Sequence, residues 1–325
     1  MKAKQFLSIL ITANFFLVTF GQTTEPETKF RTQNLDSIYG WKKGGVAVLN
    51  ISQTSLTNWA AGGQNSLSIN GFFSIYAKLK KENSFWDNSL DVGYGVLRQG
   101  KEAAYMKTDD KIDLLSSYGR KAAKNLYYAA LFNFKTQMGA GYNYPNDSVK
   151  ISDFLAPAYI VCALGMDYKP NNYLGIFVAP ITSKTTIVND QNLANQGAFG
   201  VEAAKYDTAG NMIKEGKKIW YEFGGYVRII YTKNDFKPEL LKNLSFTTKL
   251  DLFSNYLKNP QNIAISWETL ITMKVNKYIA ANFNTQLVYD DNVSTTVTNP
   301  DGSSYRIGPK IQFKEILGIG FSYKF

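Results

Sequence analysis

The chain has 325 residues, a net charge of +10, one cysteine and no histidine. The single Cys162 excludes an internal disulfide and a thiolate metal cluster. The lack of histidine removes Ser-His-Asp and Cys-His nucleophilic sites and His-ligated zinc, so no catalytic residue, cofactor or metal is assigned and an enzyme is not expected.

Lys2 and Lys4 precede a short, mostly apolar run from Phe6 to Phe20, and Thr19-Phe20-Gly21 supplies small residues before Gln22. This is the pattern of a secretory signal peptide over 1–21, too short for a spanning helix. Its removal would leave a net charge of +8. The remaining lysines are spread over strand ends and turns without a basic stripe or recognition motif, so nucleic acid is not an expected partner. Residues 22–42 are polar and read as a flexible periplasmic leader; 43–325 read as one domain. No later window holds roughly 18 consecutive apolar residues, which excludes a spanning helix. A mean hydropathy of −0.22 still suits a membrane barrel, whose strands alternate lipid-facing with polar residues.

The first strand is expected over Gly45 to Gln53, with Ala47, Leu49 and Ile51 on one face. In the second, Leu67, Ile69, Phe73, Ile75 and Leu79 alternate with Ser66, Ser68, Asn70, Ser74 and Lys78, a run of about fifteen residues. Soluble strands usually stop near five or six residues. Barrel strands need roughly ten to cross a bilayer at a tilt. The same period of two sets Trp86, Leu90 and Val92 against Asp87 and Asp91, and Ile112 and Leu114 against Lys111 and Asp113. It sets Tyr128, Phe132 and Phe134 against Asn133 and Lys135, and Ile160, Cys162 and Leu164 against Ala163 and Asp167. Leu174, Ile176 and Val178 begin a weaker strand that Pro180 interrupts or bulges.

After a long loop, Phe223, Val227 and Ile229 oppose Glu222, Tyr226 and Arg228, and Leu250 and Leu252 oppose Lys249 and Asp251. Ile263, Trp267 and Ile271 oppose Glu268 and Lys274, and Phe283 and Leu287 oppose Asn284 and Gln286. The last stretch, Lys310 to Phe325, puts Phe313, Leu317, Ile319, Phe321, Tyr323 and Phe325 opposite Gln312, Lys314, Gly318 and Gly320. A strand ending on an exposed aromatic would be an aggregation hazard at a soluble sheet edge but suits the final stave of a membrane barrel.

The connections sort by parity, mostly short after even strands and long after odd ones, which is the outer-membrane pattern with both termini in the periplasm. The prediction is therefore an all-β fold: a transmembrane antiparallel up-and-down β-barrel of about 12 strands in the outer membrane of a Gram-negative bacterium. Charges avoid the outward faces, Glu315 excepted. The predicted lumen-lining residues are Asp87, Asp91, Asp113, Lys135, Asp167, Glu222, Arg228, Lys249, Asp251, Glu268, Lys274 and Lys314.

Several segments together resemble an uncharacterised family of predicted outer-membrane barrels widespread in Bacteroidota, a domain of unknown function. They are Ser55-Leu56-Thr57-Asn58-Trp59-Ala60-Ala61-Gly62-Gly63-Gln64-Asn65, Lys107-Thr108-Asp109-Asp110-Lys111-Ile112-Asp113, Lys249-Leu250-Asp251-Leu252-Phe253-Ser254-Asn255-Tyr256 and Gln312-Phe313-Lys314-Glu315. The resemblance implies fold and location; it brings no assigned activity and no functional residue.

Trp59, Gly62 and Gly63, in the first long loop, and Asp109 and Asp110, in the loop before the fourth strand, are candidate loop contacts. The acidic group Asp109, Asp110 and Asp113 is read as solvated or paired in the lumen, with a calcium site as the sharper alternative. The charged inward face points first to a narrow channel or transporter for small polar solutes. The alternative is a plugged structural or assembly barrel acting through other envelope proteins. Either way the expected surroundings are outer-membrane lipid.

Overall fold

The computed structural model describes residues 39–324 apart from 57–63, 101–103, 145–146, 239–240, 277–278 and 299–303. The expected signal peptide, nearly all of the leader, and Trp59, Gly62 and Gly63 lie outside the described residues.

Twelve antiparallel strands close into a barrel. They are β1 (Gly40–Thr54), β2 (Ser66–Lys80), β3 (Ser84–Gln99), β4 (Met106–Ala123), β5 (Leu126–Thr136) and β6 (Ala158–Tyr168). Then come β7 (Leu174–Ile187), β8 (Ile219–Lys233), β9 (Leu244–Asn255), β10 (Ile263–Lys274), β11 (Ile279–Tyr289) and β12 (Gln312–Lys324). Each strand pairs with the next in sequence, and β12 returns to β1. This is the up-and-down barrel that the alternation predicts.

Strand bounds differ from expectation in two places that matter. β1 starts at Gly40, so three residues assigned to the leader belong to the wall. β4 starts at Met106, so Asp109 and Asp110 sit on a strand and not in the preceding loop. Polar residues at the end of a stave break the apolar alternation without ending its backbone ladder, which is why the sequence pattern starts late.

Even-numbered strands lead into mostly short turns. One is Lys124-Asn125, where Asn125 takes a left-handed φ of 62°, a conformation asparagine tolerates better than most residues. The long connections crowd the opposite end. Loop 137–157 carries a small hairpin, Gly141–Tyr142 with Lys150–Ser152. Loop 188–218 carries helix α1 (Gln191–Asn195), whose first turn is capped by Asp190 Oδ1 accepting from Leu193 N at 3.0 Å. Loop 290–311 carries the hairpin Ser294–Thr298 with Ser304–Pro309.

Pro180 bulges β7 without ending it. The register runs Leu164↔Ile181 and then Met166↔Val178 on one side, and Gly224↔Thr182 and then Tyr226↔Ala179 on the other. Two residues of β7 therefore oppose one on each neighbour, and the inward set passes from Phe177 and Ala179 to Thr182 and Lys184. The bulge presses on Gly165: a Cβ there would lie 2.0 Å from Val178 O and 2.5 Å from Ala179 Cα. Backbone cannot yield as a flexible side chain would, so only glycine fits. Gly165→Val is expected to destabilise the barrel by about 1–3 kcal/mol. The loss would be read as a lower urea midpoint after refolding into lipid vesicles; an unchanged midpoint would show that the bulge admits a side chain.

Candidate functional site

Alternation gives the wall two unlike faces. Outward, Leu49, Ile51, Phe73, Trp86, Tyr128, Leu164 and Trp267 are exposed. Glu315, the expected exception, is exposed on the same outward face of β12. Inward, the charged residues are buried: Lys249 is 2% exposed, Glu222 4%, Glu268 5% and Arg228 6%. Taking such charges out of water is costly unless each meets a partner, and here they do.

Three clusters do most of the pairing. On β4 and β5, Asp113 lies 3.5 Å from Lys135 Nζ and 3.7 Å from Lys111 Nζ, and accepts from Asn133 Nδ2 at 2.6 Å. On β8 to β10, Arg228 donates to both oxygens of Asp251, from Nε at 2.6 Å and Nη2 at 3.3 Å. The Tyr226 hydroxyl donates to Asp251 at 2.7 Å, and Lys249 lies 3.1 Å from Glu268. The third cluster crosses the barrel. Lys184 on β7 reaches Glu222 at 2.9 Å and Asp290, at the end of β11, at 3.1 Å.

All twelve residues predicted to line the lumen occupy inward positions, but they do not form one group. Asp113 with Lys135, and Arg228 with Lys249, Asp251 and Glu268, are brought together as described. Asp167 is met by Lys169 at 3.2 Å, and Asp91 accepts from Ser74 Oγ at 2.5 Å. Lys314 meets Asp109 at 3.8 Å. Asp87 and Lys274 lie towards the short-turn end, Asp87 beside Lys78 in the ladder.

The acidic group of β4 does not converge on a shared oxygen cage. Asp109 points inward to Lys314. Its neighbour Asp110 faces the other way, as adjacent strand residues must, and accepts from Met138 N at 2.6 Å, Gly139 N at 2.9 Å and Lys107 Nζ at 2.9 Å. Asp110 thus clamps loop 137–157 to the wall.

Sequence reasoning missed Lys184 and Lys169, and left Asp290 out of the lumen set although alternation puts it on the same face as Gln286. It also left out Lys111, which the alternation had already placed inward. Lys184 was hidden by the bulge: continuing the alternation past Pro180 with a shift of one residue puts it inside.

Between the clusters the interior is apolar. Ala129, Leu131, Ala163, Phe177, Ala179, Tyr226 and Phe253 form a buried knot on the inner faces of β5 to β9. Small residues on β5 and β6 make room for three rings from β7, β8 and β9. The polar lumen expected throughout is therefore filled, in this half, by packed side chains.

Loops cover the long-loop end. Ala156, Val188, Leu193, Ala194, Ala198 and Val201 pack together, joining loops 137–157 and 188–218, and Asn189 N donates to Leu155 O at 2.9 Å. Gly200, at φ 88°, sits where a Cβ would touch Asn292 of loop 290–311 at 3.1 Å. Within loop 188–218, Glu202 is held by Lys217 at 2.6 Å and Lys214 at 3.2 Å.

Comparison with known proteins adds little chemistry. A family model described as a protein of unknown function (DUF3078) matches residues 51–142, from the end of β1 into loop 137–157. No curated protein matches. The translocator domain of the autotransporter NalP from Neisseria meningitidis is similar at a TM-score of 0.36 and 9% identity, covering 91% of this chain and 93% of its own. An outer membrane channel from Pseudomonas putida F1 gives 0.37 and 8%, covering 89% and 96%. The outer membrane channel DcaP of Acinetobacter baumannii gives 0.26 and 10%, covering 88% and 96%. The likeness is one of general barrel form, and no residue correspondence follows from it.

Two expectations test the site. Arg228→Met strands a buried Asp251 and should cost about 3–5 kcal/mol, whereas Arg228→Met with Asp251→Leu should recover most of it. Urea titration of both variants in vesicles checks this, and equal losses would show that the pair is not a unit. The second concerns pH. Hydrogen bonds from Lys217 and then Lys214 lower the Glu202 carboxyl from its ordinary 4.5 to about 2. A depressed carboxyl contributes its contact above the ordinary value and loses it only as pH falls through the lowered one. The Glu202 carboxyl carbon resonance should therefore stay unchanged from pH 7 to pH 4 (roughly the ordinary carboxyl range) and move only on further acidification.

Proposed function

We propose that this chain is a non-enzymatic outer-membrane β-barrel, closed at mid-height in its resting state, that acts through its loops and envelope partners. A membrane setting is supported by the apolar outer face and by aromatic rows near both rims. Trp41, Trp86, Tyr118, Tyr128 and Tyr168 stand near the short-turn end, and Tyr221, Tyr256 and Phe313 near the other. The signal-like segment at 1–21 and the sorting of loops by length favour the outer membrane, with the short turns and both termini in the periplasm.

One observation carries the closed reading: the inward charges are both buried and paired around the knot of Leu131, Phe177, Tyr226 and Phe253. An open pore would keep such groups in water, where pairing contributes little. A second reading, a gated conduit for small polar solutes, is favoured by Lys184, which holds two carboxylates at once and could release either.

Recording in planar bilayers separates the two. The closed barrel predicts no conductance steps from the native protein, and steps from the variant with Phe177→Ala, Tyr226→Ala and Phe253→Ala together. Regular steps from the native protein would replace the closed reading with the conduit.

A further inference from the structure

The ring is weakest where its ends meet. β1 pairs with β2 over fifteen positions, and β11 with β12 over ten. Across the β1–β12 seam the described residues give four: Val46↔Lys324, Ala47↔Tyr323, Val48↔Ser322 and Leu49↔Phe321. Continuing that register would set 50–54 against 316–320, yet no ladder pair joins them.

Three details mark this stretch as an unfilled wedge opening towards the long-loop end. At its foot, the Asn50 side chain occupies the place a Cβ on Gly320 would take, 1.4 Å from its Oδ1, and that buried oxygen accepts no hydrogen bond. Higher up, nothing lies within 4 Å of where a Cβ on Gly318 would stand. Along its outer lip, Ile51 is 62% exposed, Leu317 76% and Ile319 71%.

We propose that the wedge is a docking site for one extended segment of a partner polypeptide, which adds a short strand between β1 and β12. The inference rests on the membrane-spanning reading. In hydrocarbon each unmet backbone group costs several kcal/mol, and an acyl chain offers no hydrogen bond. Only another backbone can satisfy two facing strand edges in register. The wedge also specifies the segment. Its outward residues must be apolar, to sit between Ile51 and Leu317. Its inward residues must be small or polar, to fit beside Ser52, Gly318 and Asn50. A second copy of this chain is a poor occupant, because pairing the two 316–320 edges about a two-fold axis at Gly318 sets Glu315 against Phe321 in the wall and leaves both β1 edges at 50–54 unmet.

Two measurements test the proposal. In the purified protein in lipid nanodiscs, the alternate amides of 316–320 that point to β1 should exchange roughly ten-fold or more faster than those between them that the β11 ladder holds. Slow exchange would mean that the seam is already zipped and would overturn the idea. In cells, a photoreactive benzoylphenylalanine at Leu317 or at Ile319 should cross-link to one identified polypeptide, at points two residues apart. The links should vanish when Ser52→Cys and Gly318→Cys, in a Cys162→Ser background, lock the seam by a disulfide. Links to lipid alone, to a second copy, or none at all would overturn it. Absence of the protein from the outer-membrane fraction would instead sink the membrane reading beneath it.

Discussion

Closure of the backbone ladder is the constraint on which the rest of this molecule depends. A strand leaves one row of amides and carbonyls on each side, and lipid can satisfy neither. Only a ring has no edge. Once twelve staves close, each side chain has two destinations, outside or lumen, and the period of two decides which. The aromatic rims, the inward charges and the sorting of loops by length all follow from that choice.

The interior then faces its own problem. Ten or more charged side chains crowd a space from which water is largely excluded, and unpaired charge there would be prohibitive (about 3–5 kcal/mol for one stranded partner). The chain uses two devices in different places. Where β8, β9 and β10 meet, opposite charges are matched: Arg228 grips Asp251 through two hydrogen bonds while Lys249 lies against Glu268. Where β5, β6 and β7 meet, charge is avoided and Phe177 packs over Ala129, Leu131 and Ala163. The first device holds the staves in register by direction and distance; the second excludes water by shape.

The wall was far more legible than what fills it. Alternation over Ser66 to Lys80 reads as the strand that forms, because every second residue there is plainly apolar. It fails at Pro180, where one extra residue reverses the faces and hides Lys184 among residues that look like loop. It also cannot reveal the knot. The alternation that sets Phe132 outward leaves Leu131 on the inner face with Asn133 and Lys135, but it does not say what an apolar side chain there packs against. Ring packing depends on which residues of non-neighbouring staves meet across the barrel, and that is a property of closure and stagger rather than of any one segment. Lys184 and Asp290, 106 positions apart in sequence, illustrate the point.

Rigidity is distributed unevenly round the ring as a result. The side from β5 to β10 is braced three times over, by the knot, by the Arg228 and Lys249 pairs, and by loop 188–218 folded onto its neighbours. Glycines occur on both sides, Gly165, Gly224 and Gly225 on β6 and β8 and Gly93, Gly95, Gly318 and Gly320 on β3 and β12, but those of β12 border the seam. Glycine adds no side-chain packing to a strand and admits close approach. A barrel stiff on one side and thin on the other will yield first at the thin side, and the four-pair seam lies there. On the closed reading proposed above, movement is directed through the wall, since opening the lumen would make each of its paired groups give up a partner.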